Sequence, residues 1–175
     1  CIPLNSGGNG GLFGQLQHVV EEFYKARSSR FAPTMRGVGL TMEGIENNPV
    51  MYELVCELPW STADGNHIVW RDWLSRYVQT RYGNVTNTKV SEAWLLLARS
   101  IYGCPADNVS QGCRESVFCA RPSLDAKWVS SWAETVDYYE PDSVIRAARL
   151  MVEAAADMPA NADFRYDLVD ITRQA

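Results

Sequence analysis

A mainly α-helical chain with a small α/β part at its N-terminal end is the fold class this sequence predicts. Three observations carry that expectation. The first sixty residues alternate short, glycine-bearing apolar stretches with helical patterns, which is the rhythm of a β/α unit. From Trp60 onward the strand signal disappears. Two successive helical patterns then end in Tyr-Gly, at Gly83 and Gly103, where glycine stops a helix by accepting the left-handed conformation cheaply. The expected organisation is the end of an α/β domain over residues 1–60, followed by the start of an all-helical domain over 61–175.

The chain opens on Cys1-Ile2-Pro3-Leu4, which reads as the end of a strand. It begins without Met and without a leader pattern, so the expectation is a piece of a longer protein. Residues 5–14, NSGGNGGLFG, form a glycine-rich turn and run straight into a helical pattern. There Leu12, Phe13, Leu16, Val19, Val20 and Phe23 recur at three- and four-residue spacing, and the pattern fades near Ser28-Ser29. The stretch TMRGVGLTM, 34–42, reads as a buried strand, because glycine is costly inside a helix and allows close packing in a sheet. Asn48 can then cap a helix with Pro49 at its first position, where a missing N–H costs nothing. Val50, Met51, Leu54, Val55 and Leu58 form its apolar face, and Cys56 within it reads as a small buried apolar residue.

Asn66 can cap the next helix, with Val69, Trp73, Leu74, Tyr77 and Val78 inward. Another carries Val90, Ala93, Trp94, Leu97, Ala98 and Ile101. Residues 104–140 look irregular, leaving Trp128 and Trp132 free to line a cleft, whereas Trp60, Trp70, Trp73 and Trp94 fit helical cores. Pro141 opens a long helix with Val144, Ile145, Ala148, Met151, Val152 and Ala155 as its apolar face. A last helix ends the chain, and its Asp163, Arg165, Asp167, Asp170 and Arg173 read as a solvated face with charge pairs.

Composition narrows the function classes. Sixteen Lys+Arg against twenty-one Asp+Glu give a net charge of −5, with no basic run longer than a pair. That argues against a nucleic-acid or anionic-membrane surface, since both need clustered cations. The apolar runs fall far short of the roughly 20 residues that span a bilayer. The five cysteines, Cys1, Cys56, Cys104, Cys113 and Cys119, form no C-x-x-C pair and lie far from His18 and His67. No metal site is expected, and no cofactor, because dinucleotide and phosphate-loop fingerprints are missing. His18 has no serine or cysteine partner that would make a hydrolase triad. Cys104 and Cys113 bracket the turn-rich PADNVSQG and can close it as a disulfide, worth about 2–3 kcal/mol for such a small loop. Sequons stand at Asn84 and Asn108. Loop cysteines and sequons together point to a lysosomal, vacuolar or secreted compartment, with reduced cysteines in a bacterial cytosol or periplasm as the alternative.

Chemistry concentrates at Glu43, between the expected strand and the helix that starts at Pro49. In a β/α barrel that position is the C-terminal rim of the strands, where active sites are built. A carboxylate there can act as a nucleophile, a general base or a metal ligand. It can equally be structural, held by N–H groups at the following helix terminus or paired with Arg36. The glycine-rich turn has the same strand-to-helix placement. Its backbone can approach a ligand closely, and the amides of Asn5 and Asn9 can both donate and accept.

Several motifs occur together, in order, along the whole chain: GGNGGLFG at 7–14, MEGIENNPVMYEL at 42–54, RYG at 81–83, AWLLLARSIYGC at 93–104, RPSL at 121–124 and FRYDLVDITRQA at 164–175. In these the chain resembles the α-N-acetylglucosaminidases, family 89 of the glycoside hydrolases. The resemblance implies a retaining exo-glycosidase that removes terminal α-linked N-acetylglucosamine from glycans such as heparan sulfate. It implies that residues 1–60 are the last β/α units of a (β/α) barrel catalytic domain, and 61–175 the N-terminal part of an all-α C-terminal domain. The family's nucleophile, in its EGI…N motif, falls on Glu43. Asn5, Asn9 and Asn48 are the expected sugar-contacting amides, although Leu4-Asn5-Ser6 replaces the family's usual His-Asn-Phe.

The family's acid/base glutamate lies in an Asn-Glu motif upstream of anything in this chain. A retaining glycosidase needs two carboxyl groups about 5–5.5 Å apart, and Glu46, three residues on, is not the inherited partner. The expected partners are therefore a glycan substrate and the remaining segments of the same enzyme. Two alternatives stand beside the enzyme: a non-catalytic helical sugar-binding or scaffolding module, and a glycosidase-like chain that binds sugar without turnover.

Overall fold

The computed structural model describes residues 2–3, 11–41, 48–61, 67–105, 121–125, 137–158 and 160–175. Those residues are mainly helical. Strands β1 (Ile2–Pro3) and β2 (Leu40–Thr41) pair in parallel, Ile2 with Leu40 and Pro3 with Thr41, across helix α1 (Leu16–Arg27). The strand expected over 34–42 is thus reduced, among the described residues, to its Leu40–Thr41 end. A short 3₁₀ helix, Ala32–Thr34, leads into it, because Pro33 sets a helical φ and withholds an N–H from any ladder, and residues 35–39 form no regular element. The expected end of a (β/α) barrel is not visible among the described residues, whose strands are these two pairs of residues alone.

Five helices follow α1: α2 (Pro49–Ser61), α3 (Trp70–Arg81), α4 (Thr88–Arg99), α5 (Pro141–Ala154) and α6 (Ala162–Gln174). Each owes its position to one buried stripe. Leu16, Val19, Val20 and Phe23 of α1 meet Val50, Met51, Leu54, Val55 and Leu58 of α2, and the same cluster continues through Trp73, Trp94, Leu97, Met151 and Phe164. The core therefore runs unbroken past residue 60. Helices α4 and α5 share the most extensive contact, and Ala147, Ala148 and Ala154 on α5 let the two come close.

The stripe on α5 is rotated from the expected one. Val144, Ala147, Ala148, Met151 and Ala154 point inward, whereas Val152 is exposed. Cys56 is exposed on α2, one position round from the buried Leu54–Val55 pair. Trp60 also departs from its expected core role, standing 77% exposed at the end of α2. Trp128, Trp132 and Asn66 lie outside the described residues.

The helix ends show how local chemistry was solved. Gly83 takes φ +74°, its N–H bonds the carbonyl of Thr80, and the N–H of Asn84 reaches the carbonyl of Gln79. That is the glycine-ended pattern expected for α3. Helix α4 ends differently, since Gly103 is not left-handed. A Cβ on Gly103 would lie 3.0 Å from the carbonyl of Arg99, so it is bare for close approach. Asn87 caps α4 by accepting from Lys89 and Val90, and Asn161 caps α6 by accepting from Phe164.

Gly103 belongs to a seam. Gln15 and Gly103 form an antiparallel bridge, the N–H of Leu16 bonds the carbonyl of Tyr102, and the N–H of Cys104 bonds the carbonyl of Gly14. The first orphan donor of α1 is thus satisfied by the chain leaving α4. A Cβ at Gly14 would sit 2.6 Å from Sδ of Met51 and 2.8 Å from a ring carbon of Tyr102, and both side chains are closed in on all sides. Gly14→Ala is therefore expected to destabilise the protein by about 1–3 kcal/mol, measured as a lower urea midpoint at unchanged slope.

The expected solvated face of α6 is corrected at Asp167. This carboxylate is 4% exposed. Its Oδ2 accepts from Nε of Arg81 at 2.6 Å and from the Tyr82 hydroxyl at 2.7 Å, and its Oδ1 from Nη2 of Arg81 at 2.9 Å. Nε1 of Trp94 donates to the Tyr82 hydroxyl at 2.9 Å, completing a network across α3, α4 and α6. Burial pushes the Asp167 carboxyl up, against the pull of Arg81 and Tyr82. Burial works against the Arg81 charge too, but the hydrogen bond and charge of Asp167 outweigh it and hold the guanidinium above its usual value.

Candidate active site

Parallel pairing puts the C-terminal ends of β1 and β2 on one edge. Pro3 and Thr41 are registered partners there, on strands about 4.8 Å apart. The chain leaving Pro3 enters the glycine-rich turn, and Asn5 follows by two residues. The chain leaving Thr41 enters MEGIEN, and Glu43 likewise follows by two. Glu43, Asn5 and Asn9 themselves lie outside the described residues, as do Asn108 and Cys113.

Asn48, where the second segment meets α2, is described in full. It adopts φ +60° and is 1% exposed. Asparagine tolerates this left-handed backbone better than other residues with a side chain beyond Cβ. Its carbonyl accepts from the N–H of Met51 at 3.0 Å, so it does start α2. The side chain does not cap its own helix. Its Oδ1 accepts from the N–H of Phe13 at 2.9 Å, and Nδ2 faces the carbonyl of Gly11 at 3.5 Å. A backbone N–H only donates, so the amide orientation is set by chemistry. The expected role as a sugar contact fits poorly, because the amide is buried and engaged with backbone.

Beside Phe13, the N–H of Leu12 donates to Oε1 of Gln174 at 2.9 Å, and Nε2 of Gln174 donates to the Tyr139 hydroxyl at 3.0 Å. The exit of the glycine-rich turn is therefore held by two amide side chains, one from the start of α2 and one from the end of α6. Sequence reasoning missed Gln174. Nothing in ITRQA signals a partner 162 residues away.

The other expected residues are spread over the surface and the seam. Asn84 is exposed in the turn after α3, open to modification. Cys104 is buried at the seam, where Nε2 of Gln15 approaches its Sγ at 3.9 Å and bonds the carbonyl of Pro105 at 2.8 Å. His67 stacks on Tyr24 with ring centroids 4.1 Å apart. Among the described residues no group of three His, Cys, Asp or Glu gathers as metal ligands would, and no helix is long and apolar enough to cross a membrane.

Comparisons with known proteins match both halves of the chain. Residues 1–62 match the α-N-acetylglucosaminidase (NAGLU) tim-barrel domain, and residues 73–175 the α-N-acetylglucosaminidase (NAGLU) C-terminal domain. The human α-N-acetylglucosaminidase is 36% identical over the whole of this chain, which spans 22% of that protein. Among solved structures, a family 89 glycoside hydrolase from Clostridium perfringens in complex with 2-acetamido-1,2-dideoxynojirmycin superposes with a TM-score of 0.85 at 29% identity. That match covers 99% of this chain and 19% of the other. A Clostridium perfringens form with two Glu→Gln substitutions, in complex with its substrate GlcNAc-α-1,4-galactose, gives a TM-score of 0.85 at 28% identity, with the same coverage. The chain thus spans about a fifth of the length of the relatives it matches. On two adjoining domain matches and identity along its full length, the chain belongs to the α-N-acetylglucosaminidase (NAGLU) family of glycoside hydrolases.

Proposed function

We propose that this chain is part of a retaining exo-glycosidase that removes terminal α-linked N-acetylglucosamine, with Glu43 as nucleophile and the acid/base glutamate supplied from outside these residues. The observation that carries the reading is the registered Pro3–Thr41 pair, because it starts the glycine-rich turn and the Glu43 segment side by side at one strand edge. Residues 1–60 then belong to a barrel's end and 61–175 to a helical domain docked on it. The relatives' bound N-acetylamino sugar compounds and paired Glu→Gln substitutions agree with a two-glutamate site for this sugar.

In the first step the Glu43 carboxylate attacks the anomeric carbon from the β face. The bond to the glycosidic oxygen breaks, and that oxygen leaves with a proton from the second glutamate. In the second step that glutamate, now a carboxylate, takes a proton from water. The water oxygen displaces Glu43 from the same carbon, restoring both groups and returning the sugar as the α-anomer. Glu43 must stay ionised while its partner's pKa is raised, so the two need unlike surroundings.

Asn5 and Asn9 are the sugar-contacting amides in this reading. Heparan sulfate is a fitting glycan source and a lysosomal, vacuolar or secreted compartment a fitting place. Asn84 and Asn108 would carry glycans, and a Cys104–Cys113 disulfide would close the loop that holds Asn108.

The full-length polypeptide carrying this chain should hydrolyse 4-nitrophenyl α-N-acetylglucosaminide, with α-N-acetylglucosamine as the first product seen by proton NMR. First release of the β-anomer would refute retention. The 175-residue chain alone should not hydrolyse methyl α-N-acetylglucosaminide, whose leaving oxygen needs a proton, and turnover of that substrate by it would refute an acid/base group outside these residues.

A further inference from the structure

We infer that Asn48 and Gln174 are positioning residues for the sugar site, holding the exit of the glycine-rich turn against the start of α2. The inference rests on Glu43 being the nucleophile. It begins from two successive backbone donors. The N–H groups of Leu12 and Phe13 lie on buried residues ahead of α1, and neither finds a strand neighbour. Asn48 takes one and Gln174 the other.

The two acceptors come from opposite ends of the chain. Asn48 stands five residues after Glu43, so the two Cα atoms are at most about 18 Å apart along the backbone. On the other side, Gly11 stands two residues after Asn9, a reach of about 7 Å at most. One asparagine therefore pins the near ends of both segments that leave the paired strand edge. Its left-handed backbone aims the side chain back across the gap rather than along its own helix. Gln174 adds a second hold from the last turn of α6, itself fixed through Tyr139. The helical part of the chain thereby touches the turn that carries Asn5 and Asn9.

A side chain that only satisfied buried donors would matter for stability alone. A side chain that sets the spacing of two site-bearing segments would matter for rate, since a misplacement of about 1 Å can cost on the order of 10²-fold. Asn48→Gly separates the two roles, because glycine keeps the left-handed backbone without strain while the amide is lost.

The test uses the full-length polypeptide, with kcat and KM on 4-nitrophenyl α-N-acetylglucosaminide, melting temperature, and amide hydrogen exchange over residues 11–16. For Asn48→Gly we expect kcat to fall by roughly 10- to 100-fold with KM changed by less than about threefold, alongside faster exchange at Leu12 and Phe13. Gln174→Ala should lower kcat by about 3- to 10-fold. Gln174→Glu, which keeps an oxygen for the Leu12 N–H, should recover most of that loss. Unchanged kcat in both Asn48→Gly and Gln174→Ala, with an active parent, overturns the inference whatever the exchange shows. An inactive parent overturns the proposed function instead, and takes the positioning role with it. Faster exchange would then show that the hold on the turn is real but serves the fold.

Discussion

Glu43→Ala in the full-length polypeptide is expected to cut turnover of 4-nitrophenyl α-N-acetylglucosaminide on the order of 10⁵-fold, because a covalent catalyst has no substitute in a two-step displacement. The nitrophenolate leaves without help from an acid, so the loss would report the attacking group and not its partner. Added azide should restore part of the rate. It would enter the space the carboxylate vacates, attack the anomeric carbon from the β face and leave a β-glycosyl azide, identified by NMR. An α-azide would place the missing group on the leaving-group side and make Glu43 the acid/base. Activity within a few-fold of the parent would make Glu43 a rim residue held by the helix terminus or by Arg36. Glu46→Ala, the nearest carboxylate in sequence, is the control and should keep turnover within a few-fold.

Helices were legible because a 3.6-residue stripe is a local property. The inward faces of α1, α2, α3 and α4 agree with their apolar spacing except at Val69, which stands exposed just ahead of α3. On α5 spacing alone did not separate two candidate stripes. The one that packs uses three alanines, which allow closer approach to α4 than Ile145 and Val152 would. The strand over 34–42 is shorter in the structure than its apolar residues suggest, because Pro33 opens a 3₁₀ turn just ahead of it and Gly37 and Gly39 bring no side chains to hold a ladder. At the site, glycine, asparagine and proline punctuate the segments that carry Asn5, Asn9 and Glu43; the structure describes the strand ends that lead into them, Pro3 and Thr41, and the assignment of Glu43 as nucleophile rests on the family's motif. What could not be read were partners distant in sequence. Asn48 has the identity and place of a helix cap, yet its side chain serves Phe13, 35 residues back. Asp167 sits among charges spaced for a wet surface, and only the fold reveals that Arg81 covers it.

Asp167→Ala is expected to cost about 3–5 kcal/mol, the range for removing one partner of a buried ion pair. Arg81 has only 14% of its side chain exposed, so its charge would be left without the two hydrogen bonds that offset its desolvation. Tyr82 would lose its acceptor as well, in a pocket closed by Trp94 and Phe164. Asp163 cannot take over: it lies 3.6 Å from Arg81 and is 58% exposed, where an ion pair is worth about 0–1 kcal/mol. Asp163→Ala should therefore shift stability by less than about 0.5 kcal/mol. Removing both buried charges, in Arg81→Met/Asp167→Leu, should cost less than Asp167→Ala alone, since no orphaned charge remains and apolar side chains fill the space. Urea denaturation of the parent, these variants and the single changes Arg81→Met and Asp167→Leu gives the comparison. A double substitution as costly as the sum of its single changes would mean the two residues act independently, and that the α3–α6 contact is held by packing alone.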